Sequence, residues 1–221
     1  MALVEPLSIA MHGVLRRPPA AGAPCLVVGA GTIGLATIAA LKALTPTSEV
    51  TVLARHAHQA EAARGLGADT VLLSGQNGDD VTALGEAVGG RVTGTGRATL
   101  VFGGFPYVVD AVGSPASMNT CLKVVGQSGA LLLLGAIANA TVDLGPLWFK
   151  NVDVIGAFGY AVQPHRGESR HTFDRALDVL AAGGFPSDLV VTHTFPLADV
   201  RDALAVANAR DQGAIKVHLQ P

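Results

Sequence analysis

Cysteine, charge and aromatic side chains are all scarce in this chain. Its two cysteines, Cys25 and Cys121, lie far apart in apolar contexts and form no C-x-x-C pair. That excludes a zinc ribbon and fits small core residues in a reduced compartment. Charged residues are 14% of the 221, and 15 basic against 17 acidic side chains leave a formal net charge of -2, so there is no basic footprint for nucleic acid. Aromatics are only 5%, yet apolar residues reach 49%, much of it Ala, Val and Leu, alongside 27 glycines. Such a composition suits a parallel sheet buried on both faces. The length is enough for a full core, as one domain or one domain plus an appendage.

A long unbroken hydrophobic span is missing too. The uncharged run 18–41 opens with two prolines and is interrupted by a glycine turn, and the run 130–142 is a short Leu-rich strand ending in Gly135 and the polar Asn139. Neither reads as a membrane segment. The N-terminus carries Glu5 inside its apolar part and has no basic leader before it, unlike a signal peptide. A soluble cytoplasmic protein with no membrane or nucleic-acid partner is the expectation.

What is present is a fingerprint. Leu26-Val27-Val28-Gly29-Ala30-Gly31-Thr32-Ile33-Gly34-Leu35-Ala36 is a buried-strand pattern running into a G-x-G-x-x-G turn and then an uncharged helix, the signature of dinucleotide binding. Gly29 allows the tight turn, Gly31 lets backbone amides approach a pyrophosphate, and Gly34 lets the helix pack on its strand. The amides of Thr32 and Ile33 open that helix, whose partial positive charge faces the phosphates. The nicotinamide dinucleotide is the partner this motif implies.

The rest of the chain alternates strand and helix. Pro6 can occupy the first helical position, and Leu7, Ala10, Met11 and Val14 recur at helical spacing until Pro18 and Pro19 stop the helix. Strands are expected at 25–28, 49–54, 70–73, 107–112, 130–134 and 152–157, and helices at 32–44, 58–66, 79–88, 115–125 and 172–182. The Gly-rich stretch 89–104 shows neither period and reads as a loop or hairpin, the likeliest flexible insertion. Six strands alternating with helices give an α/β, doubly wound, parallel six-stranded Rossmann sheet with right-handed crossovers and a short C-terminal appendage. Val112-Gly113 and Gly135-Ala136 end the fourth and fifth strands, where loops at the carboxyl ends of a parallel sheet line the ligand crevice. The residue about twenty after Gly34, where an acid would hold the ribose of NAD, is Ala54. Arg55 follows, with His56 and His58 close behind, and together they form an electropositive cluster suited to the 2′-phosphate of NADP. NADP is therefore favoured, with NAD possible.

In order and spacing, five segments resemble one family: Glu5-Pro6-Leu7-Ser8, Val28-Gly29-Ala30-Gly31-Thr32-Ile33-Gly34, Gly65-Leu66-Gly67-Ala68-Asp69, Val109-Asp110-Ala111-Val112-Gly113-Ser114 and Gly213-Ala214-Ile215-Lys216-Val217. Together they are similar to the C-terminal portion of the zinc-dependent medium-chain dehydrogenases, the alcohol and sorbitol dehydrogenase group. The resemblance implies residues 1–22 as a linker helix from a catalytic domain, 23–186 as the dinucleotide-binding domain, and 187–221 as a tail resembling the end of the catalytic domain. The family's N-terminal Cys ligand and Gly-His-Glu motif have no counterpart, and the sequence holds no His-Glu dipeptide. With Met1 almost at the boundary, the chain resembles an excised piece, a truncated gene product or one half of a split enzyme with a separate catalytic domain.

By the same resemblance, Glu5 corresponds to a glutamate that approaches the catalytic zinc. Three further ligands are absent, so a solvated or N-capping carboxylate is the simpler reading and zinc is not expected on this chain alone. Lys216 resembles the basic residue that reaches the cofactor phosphates from the tail, against an ordinary strand-edge lysine. His165, His171 and His193 stand at no ligand spacing and read as surface or loop histidines. In the resembled family the sixth strand pairs with its two-fold mate, so a homodimer through 152–158 is expected.

The implied activity is hydride transfer between NADP(H) and an alcohol or carbonyl, with the isolated chain inactive because it encodes no zinc site. The competing class is a non-catalytic nucleotide-binding or sensing module, since no acid, base and nucleophile constellation is visible. A methyltransferase is disfavoured by Val27-Val28 and Ala54, where acidic residues belong. A short-chain dehydrogenase is disfavoured because neither Tyr107 nor Tyr160 is followed four residues later by lysine.

Overall fold

A computed structural model of the chain describes residues 2–45, 48–76 and 78–221; Met1, Pro46, Thr47 and Asn77 lie outside the described residues. In chain order the first half contains α1 (Val4–Arg16), β1 (Cys25–Val28), α2 (Thr32–Leu44), β2 (Val50–Ala54), α3 (Ala57–Gly65), β3 (Thr70–Leu73) and α4 (Asp80–Ala87). A hairpin of β4 (Arg91–Thr93) and β5 (Leu100–Phe102) follows, then β6 (Phe105–Asp110), α5 (Pro115–Val124), β7 (Val125–Leu133), α6 (Gly145–Phe149) and β8 (Asp153–Gly156). The chain finishes with β9 (Val162–His165), β10 (Glu168–His171), α7 (Thr172–Ala181), β11 (Val191–Pro196), α8 (Val200–Asn208) and β12 (Lys216–Gln220).

Six strands form one sheet in the order β3-β2-β1-β6-β7-β8, and every neighbouring pair is parallel. Chain order runs outward in opposite directions from β1 and β6, which puts a topological switch point between them. The expected doubly wound sheet is therefore present, with each strand within a few residues of its sequence position. The central strands are apolar on both faces because both are covered. Val27, Val52, Val109 and Leu132 pack with α1, α2 and α7, whereas Leu26, Val108 and Leu131 pack with α4 and α5.

Helix α1 is part of that packing. Leu7, Met11 and Val14 are buried on its inner side, and the Ser8 hydroxyl meets the Thr172 hydroxyl at 2.8 Å where α1 passes the start of α7. The helix begins at Val4, so Pro6 is the third helical residue rather than the first. That position is tolerated because the first four amides of a helix have no intrahelical acceptor. The glycine-rich stretch is not a loose insertion: it folds into the antiparallel β4–β5 hairpin, and Val101 is fully buried beneath α4. At the C-terminus, β11 and β12 pair in parallel and α8 packs on both. No helix among the described residues is long and apolar enough to cross a membrane.

Candidate functional site

The fingerprint turn is built as its glycines suggested. Gly29 has φ +96, the left-handed region that glycine enters freely. A Cβ on Gly34 would lie 1.8 Å from the Gly29 carbonyl oxygen, so the first turn of α2 can approach β1 only without a side chain there. Gly31 differs: a Cβ there would meet nothing within 4 Å, leaving its backbone open toward a cleft. Gly31 is also the N-cap of α2, whose first-turn amides point the same way.

That cleft has a volume of about 1080 Å³ and lies at the carboxyl ends of the central strands. Of the residues singled out from sequence, it brings together Glu5, Gly31, Thr32, Ile33, Val112, Gly135, Ala136 and Lys216. Gly29, Gly34 and Gly113 shape its walls from behind. Ala54 is buried at the end of β2, and Arg55, just beyond it, is exposed outside the cleft lining. The tail forms part of the wall: Ala214, Ile215, Lys216 and Val217 line it, and the Thr32 hydroxyl donates to the Ile215 carbonyl at 3.2 Å.

The electropositive corner after β2 is narrower than the sequence implied. The His56 and His58 rings stack 5.5 Å apart. Burial, followed by the neighbouring His56, holds His58 below its ordinary range and so disfavours its charged form. Arg55 carries the positive charge there.

Sequence reasoning passed over Asp110, although it stood in one of the resembling segments. This carboxylate is fully buried at the end of β6. One oxygen accepts the amides of Val112 at 2.9 Å and Gly113 at 3.0 Å, and the other accepts the Ser117 hydroxyl at 3.0 Å. Its backbone carbonyl accepts the amides of Leu134 and Gly135, at 3.0 and 2.9 Å. An aspartate closing the apolar run Tyr107-Val108-Val109 was itself the available signal, since a buried carboxylate must be hydrogen-bonded. Behind it, Ser114 and Ser117 form a reciprocal capping box at the start of α5. Gly113 has φ +75, and a Cβ on it would lie 2.5 Å from the Gly135 carbonyl carbon, so the turns after β6 and β7 touch backbone to backbone.

Glu5 is exposed in the first turn of α1 and lines the cleft with Ile9, Phe158 and Tyr160. It caps nothing, because the N-cap position is Leu3 and makes no side-chain bond. Among the described residues, no three His, Cys, Asp or Glu side chains converge where they could hold a metal ion, so the residues present do not fit a zinc site. His165, His171 and His193 are partly exposed and lie on β9, β10 and β11 rather than in loops; His171 caps α7, accepting the Phe173 amide at 3.2 Å.

Comparison with known proteins agrees with this architecture. Residues 32–182 match the family described as "Zinc-binding dehydrogenase". A sorbitol dehydrogenase of Bombyx mori is 30% identical over 99% of this chain and 58% of its own length. An L-idonate 5-dehydrogenase of Vitis vinifera is 32% identical over 98% of this chain and 54% of its own. The chain thus spans little more than half the length of these relatives. Among solved structures, the 2R,3R-butanediol dehydrogenase of Bacillus subtilis superposes with a TM-score of 0.79 at 24% identity, over all of this chain and 57% of that one. A zinc-binding dehydrogenase of Sinorhizobium meliloti 1021 bound to NADP superposes with a TM-score of 0.76 at 24% identity, over 100% of this chain and 58% of its own. A protein of E. coli CFT073 described as a short chain alcohol dehydrogenase, complexed with NADH, gives 0.77 at 21% identity, over 99% and 58%.

Proposed function

Since this chain belongs to the zinc-binding dehydrogenase family, we propose that it is the cofactor-binding portion of an alcohol- or polyol-type oxidoreductase that prefers NADP(H) to NAD(H). The single observation that carries the reading is the cleft at the switch point, where the open Gly31 backbone and the start of α2 face the turns after β6 and β7. These residues fit a dinucleotide: first-turn amides and Lys216 provide for the pyrophosphate, and the two backbone turns shape the far side. When bound, the nicotinamide exchanges hydride with the carbon of an alcohol or carbonyl. This chain's own residues bind it and orient it.

The NADP preference rests on Ala54, which presents no carboxylate to repel a 2′-phosphate, and on the exposed Arg55 guanidinium beside it. Calorimetric titration with both cofactors tests the assignment, and equal or tighter NAD(H) binding reverses it. Electrophilic activation of the substrate belongs in this proposal to a separate catalytic domain, because the residues here do not fit zinc. The 221-residue chain is accordingly inactive, and zinc-dependent turnover of an alcohol by it contradicts the proposal. The absence of a metal-holding cluster among the described residues also favours a second reading, a nucleotide-sensing module. Cofactor binding that persists with no turnover when the catalytic domain is supplied would select that alternative.

The sheet edge supports a homodimer. β8 is the last strand of the sheet, with Val154 partly exposed and Phe158 just beyond it almost wholly so. An edge of this kind pairs readily with its two-fold mate. Light scattering checks it: a dimer at tens of micromolar that dissociates on Ile155→Lys is expected, and a monomeric wild-type chain refutes it.

A further inference from the structure

One residue fastens both turns on the β6 and β7 side of the cleft. Asp110 takes the amides of Val112 and Gly113 on its carboxylate and those of Leu134 and Gly135 on its carbonyl. It is fully buried, and its other carboxylate oxygen is bonded to the Ser117 hydroxyl. Burying a carboxylate among hydroxyl and amide donors is costly, and an apolar side chain would fill the same space in the core more cheaply. What only an acceptor side chain at this position supplies is a fixed direction for the Val112-Gly113 turn, through charge-assisted bonds; the backbone carbonyl holds the Leu134-Gly135 turn beside it.

The sheet order tells which part of a ligand those turns meet. Strands β2 and β3 lie on one side of β1, and β6, β7 and β8 on the other. In a doubly wound fold the ribose read at the end of β2 is the adenosine ribose, so the remaining half of a dinucleotide lies over the ends of β6 and β7. Asp110 touches both of those turns, and none of its bonds reaches β2 or the residues after it.

We propose that Asp110 is the positioning residue for the nicotinamide half of the cofactor: its carboxylate sets the Val112-Gly113 turn, against which the Gly135 turn packs, and leaves the adenosine half untouched. The inference rests on the reading of the cleft as a dinucleotide site. The experiment titrates the 221-residue chain with NADPH and with adenosine 2′,5′-bisphosphate, and in parallel with NADH and ADP, so that the outcome does not hang on cofactor preference. Asp110→Ala is expected to weaken the dinucleotides roughly tenfold or more, the scale of lost bonds to a charged group. The adenosine fragments should change by less than about twofold, and the blue shift of bound reduced-nicotinamide fluorescence should shrink. Asp110→Asn keeps an acceptor for the two amides and restores most of the dinucleotide affinity. Should Asp110→Ala fail to fold, Ser117→Ala, which removes one anchor, is expected to show the same asymmetry at about threefold. Equal losses on both kinds of ligand, or no loss on the dinucleotides, overturn the inference while leaving the dinucleotide reading intact. A wild-type chain that binds neither ligand overturns both.

Discussion

The two sides of the cleft are built from different materials. Beyond β6 and β7 the wall is backbone: the Gly113 and Gly135 turns are in direct contact, with Asp110 tied to both from beneath. Beyond β2, just outside the cleft lining, the surface is made of side chains, with Arg55 exposed and the stacked His56 and His58 beside it. The first side can change only with the fold. The second can change one residue at a time at little cost in stability, which suits a position that decides between two cofactors differing by one phosphate.

That contrast can be broken or sharpened by substitution. The largest effect is expected where the backbone is closest: Gly34→Ala places a methyl against the Gly29 carbonyl and should destabilise the fold by about 3 kcal/mol or more, measured by urea unfolding. On the side-chain surface beyond β2, Arg55→Ala should leave unfolding unchanged and weaken NADP(H) by about 1.5–3 kcal/mol while hardly touching NAD(H), as read by calorimetry. A uniform loss on both cofactors would erase the contrast.

Lys150 ties the end of α5 to the start of β7, at the opposite end of that strand from the cleft. It is buried, and its ammonium donates to the carbonyls of Lys123 and Val125, both at 2.8 Å, and to that of Leu122 at 3.4 Å. Lys150→Met leaves those carbonyls unpaired and should cost about 1–3 kcal/mol at neutral pH. Burial pulls the Lys150 value down to about 8 from an ordinary 10.5. Between those two values the unfolded chain holds more protons than the folded one, so this group makes the wild type gain stability as pH rises from about 8 to 10.5. Lys150→Met removes that gain, and the difference between the two proteins should widen across the same window. Cys25, pushed up to about 11 by burial, acts in the opposite sense in both proteins and cancels. Gly31→Ala should change stability little, within about 0.5 kcal/mol because its site is open; cofactor affinity should nevertheless fall, since the methyl occupies the approach to the backbone.

Much of this was legible in the sequence, and the rest was hidden for physical reasons. Strands such as Leu26-Val27-Val28 and Val108-Val109 announce themselves because both their faces are buried, and the glycine spacing after β1 follows from a steric demand that no other residue meets. β7 was read as starting at Ala130, whereas it begins at Val125, directly after α5. Gly126, Ser128 and Gly129 hid its first half, with Ser128 at φ 54. The hairpin β9–β10 carried no signal. Its strands hold only half-buried and exposed residues with no shared alternation, and the Arg175 guanidinium, which donates to the carbonyls of Gln163 and Glu168, ties them to α7. Asp110 was visible as a residue but not as a hub, because four of its five donors come from two turns that only the sheet brings together.

Hydrogen exchange of the 221-residue chain with and without saturating NADPH tests the central claim most directly, because it reports where a ligand sits without requiring turnover. The account predicts added protection at 29–34, 112–113 and 135–136, on both sides of the switch point, together with the tail at 214–217. Protection confined to other surfaces, or none at saturating cofactor, would contradict it.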